Sequence, residues 1–179
     1  MTRFTIALVL AFTLAGASAA QSPRTMSALD LVSMERVSDP QVSPDGQRVA
    51  YVVSSLDLEA DRRRTDIWVV DVAGDTPQQL TSHPAGDFNP RWSPDGDQLY
   101  FLSTRSGASQ VWHLAMSGGE PSAVTDLPLN VANLTVSPDG THLAVSMEVF
   151  VDCETLACTA RRLATRETSA ATGQVYDRV

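Results

Sequence analysis

The chain has 179 residues, 43% of them hydrophobic, with 21 acidic against 13 basic residues and a net charge of −8. That length suffices for one domain with a buried core. The acidic balance argues against nucleic acid or an anionic membrane surface as a partner.

In chain order, residues 1–20 (MTRFTIALVLAFTLAGASAA) place Arg3 before an apolar run from Phe4 to Leu14 and a small-residue tail. This is the pattern of a secretory signal peptide. The run is about half of the roughly 20 residues that a membrane-spanning helix requires, and no later segment comes close. The expectation is an exported mature chain that begins near Ala20 or Gln21, with no membrane anchor. Residues 21–40 follow as a lead-in. Within it, Ser27 suits a helix N-cap, Asp30 stands three positions on, and Leu29, Leu31 and Val32 are apolar. A short helix capping the next element is predicted.

From Gln41 onward the chain repeats itself. The tetrapeptide SPDG occurs three times, as Ser43, Pro44, Asp45 and Gly46; as Ser93, Pro94, Asp95 and Gly96; and as Ser137, Pro138, Asp139 and Gly140. The serines are 50 and 44 residues apart, within the range of propeller blades. A second anchor agrees: IWVVDVAGDTPQQLT from Ile67 aligns without a gap on VWHLAMSGGEPSAVT from Val111. The chemistry of SPDG is that of a turn. Ser suits its first position, Pro presets φ at the second, Asp tolerates the third, and Gly supplies the positive φ that closes it. A Cβ at Gly46, Gly96 or Gly140 should therefore cost about 1–2 kcal/mol. The three aspartates are read as turn residues rather than calcium ligands or catalytic carboxylates, because no second carboxylate recurs at a fixed offset.

After each turn comes a run apolar on both faces: Val49–Val53, Leu99–Leu102 and Leu143–Val145. Antiparallel strands covered on both sides arise where small sheets stack radially. The predicted fold is all-β, a partial β-propeller of about two and a half to three four-stranded blades, with a short N-terminal helix and a partly helical insertion near the C-terminus. Blade 1 covers about 41–82, blade 2 about 88–126, and blade 3 begins at about 131. Pro77 and Pro121 suit the start of each outer edge strand. Trp68, Trp92 and Trp112 are read as filling between blades, and the arginines of DRRRT, from Asp61, as a solvated loop. The insertion occupies about 152–172, and the strand-like QVYDRV ends the incomplete propeller at 179.

The chemistry the chain lacks is also informative. No G-x-S-x-G elbow, P-loop, GxGxxG or HExxH occurs, so no catalytic, cofactor-binding or metal-binding residue is assigned and no cofactor is expected. The sequon at Asn133 falls on a predicted strand. Cys153 and Cys158 are the two cysteines. An exported chain favours a disulfide between them; free thiols are the alternative, and a metal site would need ligands the neighbourhood lacks. Five helical steps set the side chains some 140° apart, so a bridge requires a turn within CETLAC.

The stretches VSDPQVSPDGQRVAYVV, RRRTDIWVVDV, RWSPDGDQLYFLSTRSGASQVWHLAMSGGEP, TVSPDGTHLAV, DCETLACTARR and ATGQVYDR together resemble the N-terminal propeller of a secreted prolyl-oligopeptidase (S9) family serine peptidase. The resemblance is to its dipeptidyl-peptidase and acylaminoacyl-peptidase branch in Gram-negative bacteria, with WD40-like repeats of the PD40/TolB type. It implies a periplasmic or secreted protein with a seven- or eight-bladed propeller that gates peptide access to a C-terminal α/β-hydrolase domain. The peptide substrate would be met through that domain, which lies beyond this chain, so the segment alone should be inactive. No match appears to the glutamate pair with which some relatives hold a substrate's amino terminus. The alternative is a non-enzymatic, TolB-like periplasmic propeller that binds protein partners.

Overall fold

The computed structural model describes residues 25–74 and 76–167. The expected signal peptide, the end of the insertion and the strand-like tail at 174–179 lie outside them.

The first sheet is an antiparallel ribbon of β1 (Arg36–Val42), β2 (Arg48–Asp57), β3 (Arg62–Asp71) and β4 (Gln78–Gln79), in that order. A second sheet repeats it with β5 (Asp87–Trp92), β6 (Gln98–Ser103), β7 (Gln110–Ala115) and β8 (Ser122–Ala123). The third has two described strands, β9 (Asn133–Val136) and β10 (Leu143–Ser146). Each SPDG joins a first strand to a second, and Pro77 and Pro121 stand just before the short outer strands.

Strand periodicity sends alternate side chains to opposite faces, and both faces of the second sheet are used. Leu99, Phe101 and Leu114 pack with Trp92 against Ala50, Ile67 and Val69 of the first sheet. Leu102 and Val111 face the other way and pack on Val131, just before the third sheet, and on Leu134 within it. The first strands are neighbours in turn, β1 against β5 and β5 against β9. Sheets stacked face to face with their first strands side by side are blades of a propeller, here an arc that is not closed. Trp112 packs on the cluster between blades 1 and 2; Trp68, its repeat equivalent, is half-buried beside Tyr51 on the face of blade 1 turned away from blade 2.

Two expectations are corrected. Blade 1 starts at Arg36 rather than 41, because β2 is ten residues long and offers Ser54, Val53 and Val52 as partners for Arg36, Val37 and Ser38. The arginines of DRRRT are not in a loop: Arg62, Arg63 and Arg64 open β3 and pair with Asp57, Leu56 and Ser55. Helix α1 (Ala28–Ser33) forms with the expected box, since Ser27 Oγ accepts from Asp30 N at 3.2 Å and Asp30 Oδ2 accepts from Ser27 N at 2.8 Å. None of its residues is buried, but it lies against β2 of blade 1. At 100° per residue, Leu29, Leu31 and Val32 do not share one face of so short a helix.

Beyond β10 the chain leaves the sheet pattern for α2 (Leu156–Glu167). Arg162 pins the approach to this helix: its Nη1 donates to both carboxylate oxygens of Asp152 at 2.6 Å, and its guanidinium lies 4.2 Å from the Phe150 ring centre. A disulfide joins Cys153, before the helix, to Cys158 in its first turn. The bend at Glu154 and Thr155 supplies the turn that the short loop requires.

Candidate functional site

The three SPDG turns are built alike. In the first, Ser43 N donates to Arg48 O at 2.8 Å, Ser43 Oγ donates to Asp45 Oδ1 at 2.6 Å, and Asp45 Oδ1 also accepts from Gln47 N at 3.1 Å. Ser93 with Asp95 and Ser137 with Asp139 repeat this at 2.5 Å each. The glycines stand at φ 73°, 76° and 71°. Successive turns also touch one another. A Cβ on Gly96 would lie 3.6 Å from Pro44 Cδ, and one on Gly140 would lie 3.4 Å from Pro94 Cδ. Those are ordinary contact distances, so the left-handed backbone, not lack of space, makes glycine the favoured residue.

The turn carboxylates serve the turn, and their acidity shows it. The serine hydroxyl and then the backbone N–H two residues on hold Asp45 and Asp95 below the usual carboxylate range and Asp139 at about 2. Because these values are depressed on folding, the stability they lend is present above the unfolded value near 4 and is lost as pH falls toward 2. In a carbon-detected carboxylate titration the Asp139 midpoint is expected at about 2; Ser137→Ala should move it back toward about 4.

The wall that β1, β5 and β9 form carries a second repeat. An Asx residue stands four positions before each SPDG serine: Asp39, Asn89 and Asn133. Asp39 and Asn89 adopt φ 47° and 57° and, with the prolines after them, form bulges. Each bulge sets two residues against one across the ribbon and breaks up the inner edge. Asn133, followed by Leu134 instead of proline, stays in register opposite Ser146. These residues tie blades together. Arg91 Nη1 donates to Asp39 Oδ2 at 3.0 Å and Oδ1 at 3.1 Å. Asn89 Nδ2 donates to Asn133 Oδ1 at 3.3 Å, and Trp92 Nε1 donates to Gln41 O at 2.9 Å. Beside the turns, Gln41, Arg91 and Thr135 line a cavity of about 320 Å³ with Val42, Trp92 and Val136.

At the other end of the blades lie buried charges. Asp87 is fully buried and accepts from Arg105 Nη2 at 2.5 Å. Asp66, nine-tenths buried, has an Oδ1 without a partner. Burial pushes the Asp66 carboxyl above the ordinary range; the Arg64 guanidinium pulls it down, Asp87 pushes it up, and Arg105 pulls it down. The equivalent position in blade 2 is Gln110, whose amide donates to the Leu127 and Leu129 carbonyls and accepts from Thr125 Oγ1 and Leu127 N. Since folding favours protonated Asp66, its contribution is best below the unfolded pKa and worsens as pH rises through the folded value. Asp66→Asn, which removes the charge that burial disfavours, should therefore stabilise the chain at pH 7 by about 1 kcal/mol. Thermal unfolding at pH 7 and pH 3 checks this, with the gain absent at pH 3.

Nothing among the described residues forms a hydrolytic triad. His113 Nε2 lies 3.1 Å from Ser122 Oγ, but His113 Nδ1 is buried without a partner, so no carboxylate orients the ring. Among the described residues no group of three or more His, Cys, Asp or Glu is placed to hold a metal ion, and no helix is long and apolar enough to cross a membrane.

Comparison with known proteins gives four findings. A family model described as the TolB beta propeller domain, PD40, matches residues 26–174. The uncharacterized peptidase YuxL of Bacillus subtilis is 37% identical over 84 residues, which is 47% of this chain and 13% of that protein. Dipeptidyl-peptidase 5 of Porphyromonas gingivalis is 29% identical over 80 residues, 45% of this chain and 12% of that one. The chain thus matches only about an eighth of the length of these relatives. Among solved structures, the acylaminoacyl peptidase of Pyrococcus horikoshii superposes with a TM-score of 0.57 at 18% identity, covering 70% of this chain and 19% of that chain. At that identity the likeness is one of fold.

Proposed function

The chain belongs to the TolB β-propeller domain family, PD40, and from that premise we propose that it is the N-terminal propeller portion of an exported serine exopeptidase. In this reading the propeller gates the access of peptides to a C-terminal α/β-hydrolase domain, and the substrate is a short peptide carrying either a free dipeptidyl end or an acylated first residue. The observation that carries the reading is the match to two peptidases over the repeat units. The wall of β1, β5 and β9 supports it: bulges and prolines break the edges of β1 and β5, so that a peptide passing along the axis is not captured there as an added strand.

The gene tests the proposal. The reading frame followed beyond codon 179 should encode further blades and then G-x-S-x-G, with Asp and His downstream. Its product should hydrolyse dipeptidyl or acylaminoacyl p-nitroanilides, a serine-directed phosphonofluoridate should abolish that activity, and residues 21–179 alone should show none. A frame without the elbow, or a product with no such activity, overturns the peptidase reading. The second reading is a non-enzymatic, TolB-like periplasmic propeller that binds protein partners, and the family match itself, described by TolB, favours it.

A further inference from the structure

We propose that the cavity beside the SPDG turns is a carboxylate-binding subsite in which Arg91 receives the carboxylate of a peptide; the inference rests on the peptide-handling reading above. Among the described residues the Arg91 side chain hydrogen-bonds through Nη1 alone, to both oxygens of Asp39 and to Pro90 O at 2.6 Å. Its Nε and Nη2 have no partner among the described residues, and its side chain remains 25% exposed at the cavity. Nε and Nη2 form the edge of a guanidinium that meets a carboxylate with two parallel hydrogen bonds. The arginine is therefore anchored by one nitrogen while its recognition edge stays free.

The surroundings select a peptide over a bare anion. Gln41 and Thr135 occupy the same repeat position as Arg91 on the flanking blades and add polar groups to the cavity. Val42, Trp92 and Val136, one position on in each blade, supply an apolar wall for the side chain next to the carboxylate. Asp39 is the built-in competitor. It already holds Arg91 Nη1 and is itself held by Gln41 Nε2 at 2.8 Å, so it weakens the field that an incoming carboxylate meets.

That competition yields a test which a purely structural ion pair would fail. Binding of acetyl-Ala-Ala-Leu with a free C-terminus, of its amide, and of the amide of acetyl-Ala-Glu-Leu is followed on the 179-residue chain by the Trp92 indole resonance. The free acid should bind about tenfold more tightly than its amide, the scale of a charge-assisted bidentate contact. Arg91→Gln should erase the difference, and Arg91→Lys, which keeps the charge but loses the planar edge, should erase most of it. Asp39→Asn should tighten binding of the free acid several-fold although it breaks the same ion pair. If the Glu-containing amide binds like the free acid, the subsite takes acidic side chains; if it binds like the plain amide, the subsite takes C-termini. Either result supports carboxylate recognition. Equal binding of acid and amide, or an Asp39→Asn variant that weakens binding as Arg91→Gln does, overturns it. The readout needs no hydrolysis, so a peptidase that shows no acid preference sinks the subsite alone, and acid preference in a protein without peptidase activity leaves the subsite standing.

Discussion

Phe101→Ala is expected to destabilise the chain by about 3–5 kcal/mol, while Tyr51→Ala, at the same position of the preceding repeat, should cost less than half as much. Both residues stand eight positions after their SPDG serine, on equivalent strands and with a tryptophan as cross-strand partner: Phe101 opposite Trp112, and Tyr51 opposite Trp68. Local propensity therefore predicts equal effects. Stacking does not. Phe101 is fully buried at the centre of the cluster shared with Ala50, Ile67 and Val69 of blade 1, so truncation removes transfer energy and leaves a cavity walled by two blades. Tyr51 projects from the other face of blade 1, where no described blade lies in front of it, and is half-buried. Urea unfolding of the two variants at equal m-value measures the difference, which reports the packing of one blade on the next.

The second large effect is expected at the buried ion pair. Arg105→Ala should cost about 3–5 kcal/mol, because it strands the Asp87 carboxylate without compensation. Asp87 has no exposed surface, and the Arg105 side chain is 11% exposed. Arg105 also donates from Nε to Ser103 Oγ at 2.9 Å and covers the Trp112 and Phe101 rings at 5.0 and 5.7 Å. Its loss thus removes packing as well as charge. Asp87→Asn combined with Arg105→Ala should recover about half of the loss, since it leaves no buried charge without a partner. Chemical denaturation of the single and double variants gives the coupling directly. A double variant no more stable than Arg105→Ala would mean that the arginine acts through packing alone.

What the sequence made legible and what it hid divide along the range of the interactions. SPDG could be read residue by residue, because a turn is decided by the φ preferences of Pro and Gly and by a hydroxyl two residues from its carboxylate. The blades followed from the spacing of those turns and from runs apolar on both faces. The bulges at Asp39 and Asn89 were missed although an Asx recurs at a fixed distance before each serine. Their meaning depends on which blade lies alongside, as the Arg91–Asp39 pair across 52 positions shows. Strand ends were missed for a related reason: Arg36–Ser38 and Arg62–Arg64 join the sheet only because β2 extends past the length of its counterpart β6. The difference between Asp66 and Gln110 is plain in the repeat alignment, but only burial reveals that one of them lacks partners.

The central claim is that consecutive SPDG units stack face to face as wedges around one axis, and proton contacts between turns test it most directly. Nuclear Overhauser effects are expected between the Pro44 δ-protons and the Gly96 α-protons, and again between Pro94 and Gly140, since each proline Cδ lies within 3.6 Å of where a glycine Cβ would stand. The Trp92 indole proton should show a matching contact to Gln41, whose carbonyl it donates to at 2.9 Å. A folded chain that keeps the cross-strand contact between Val49 and Val70 within blade 1 but lacks every one of these contacts between blades would contradict the account.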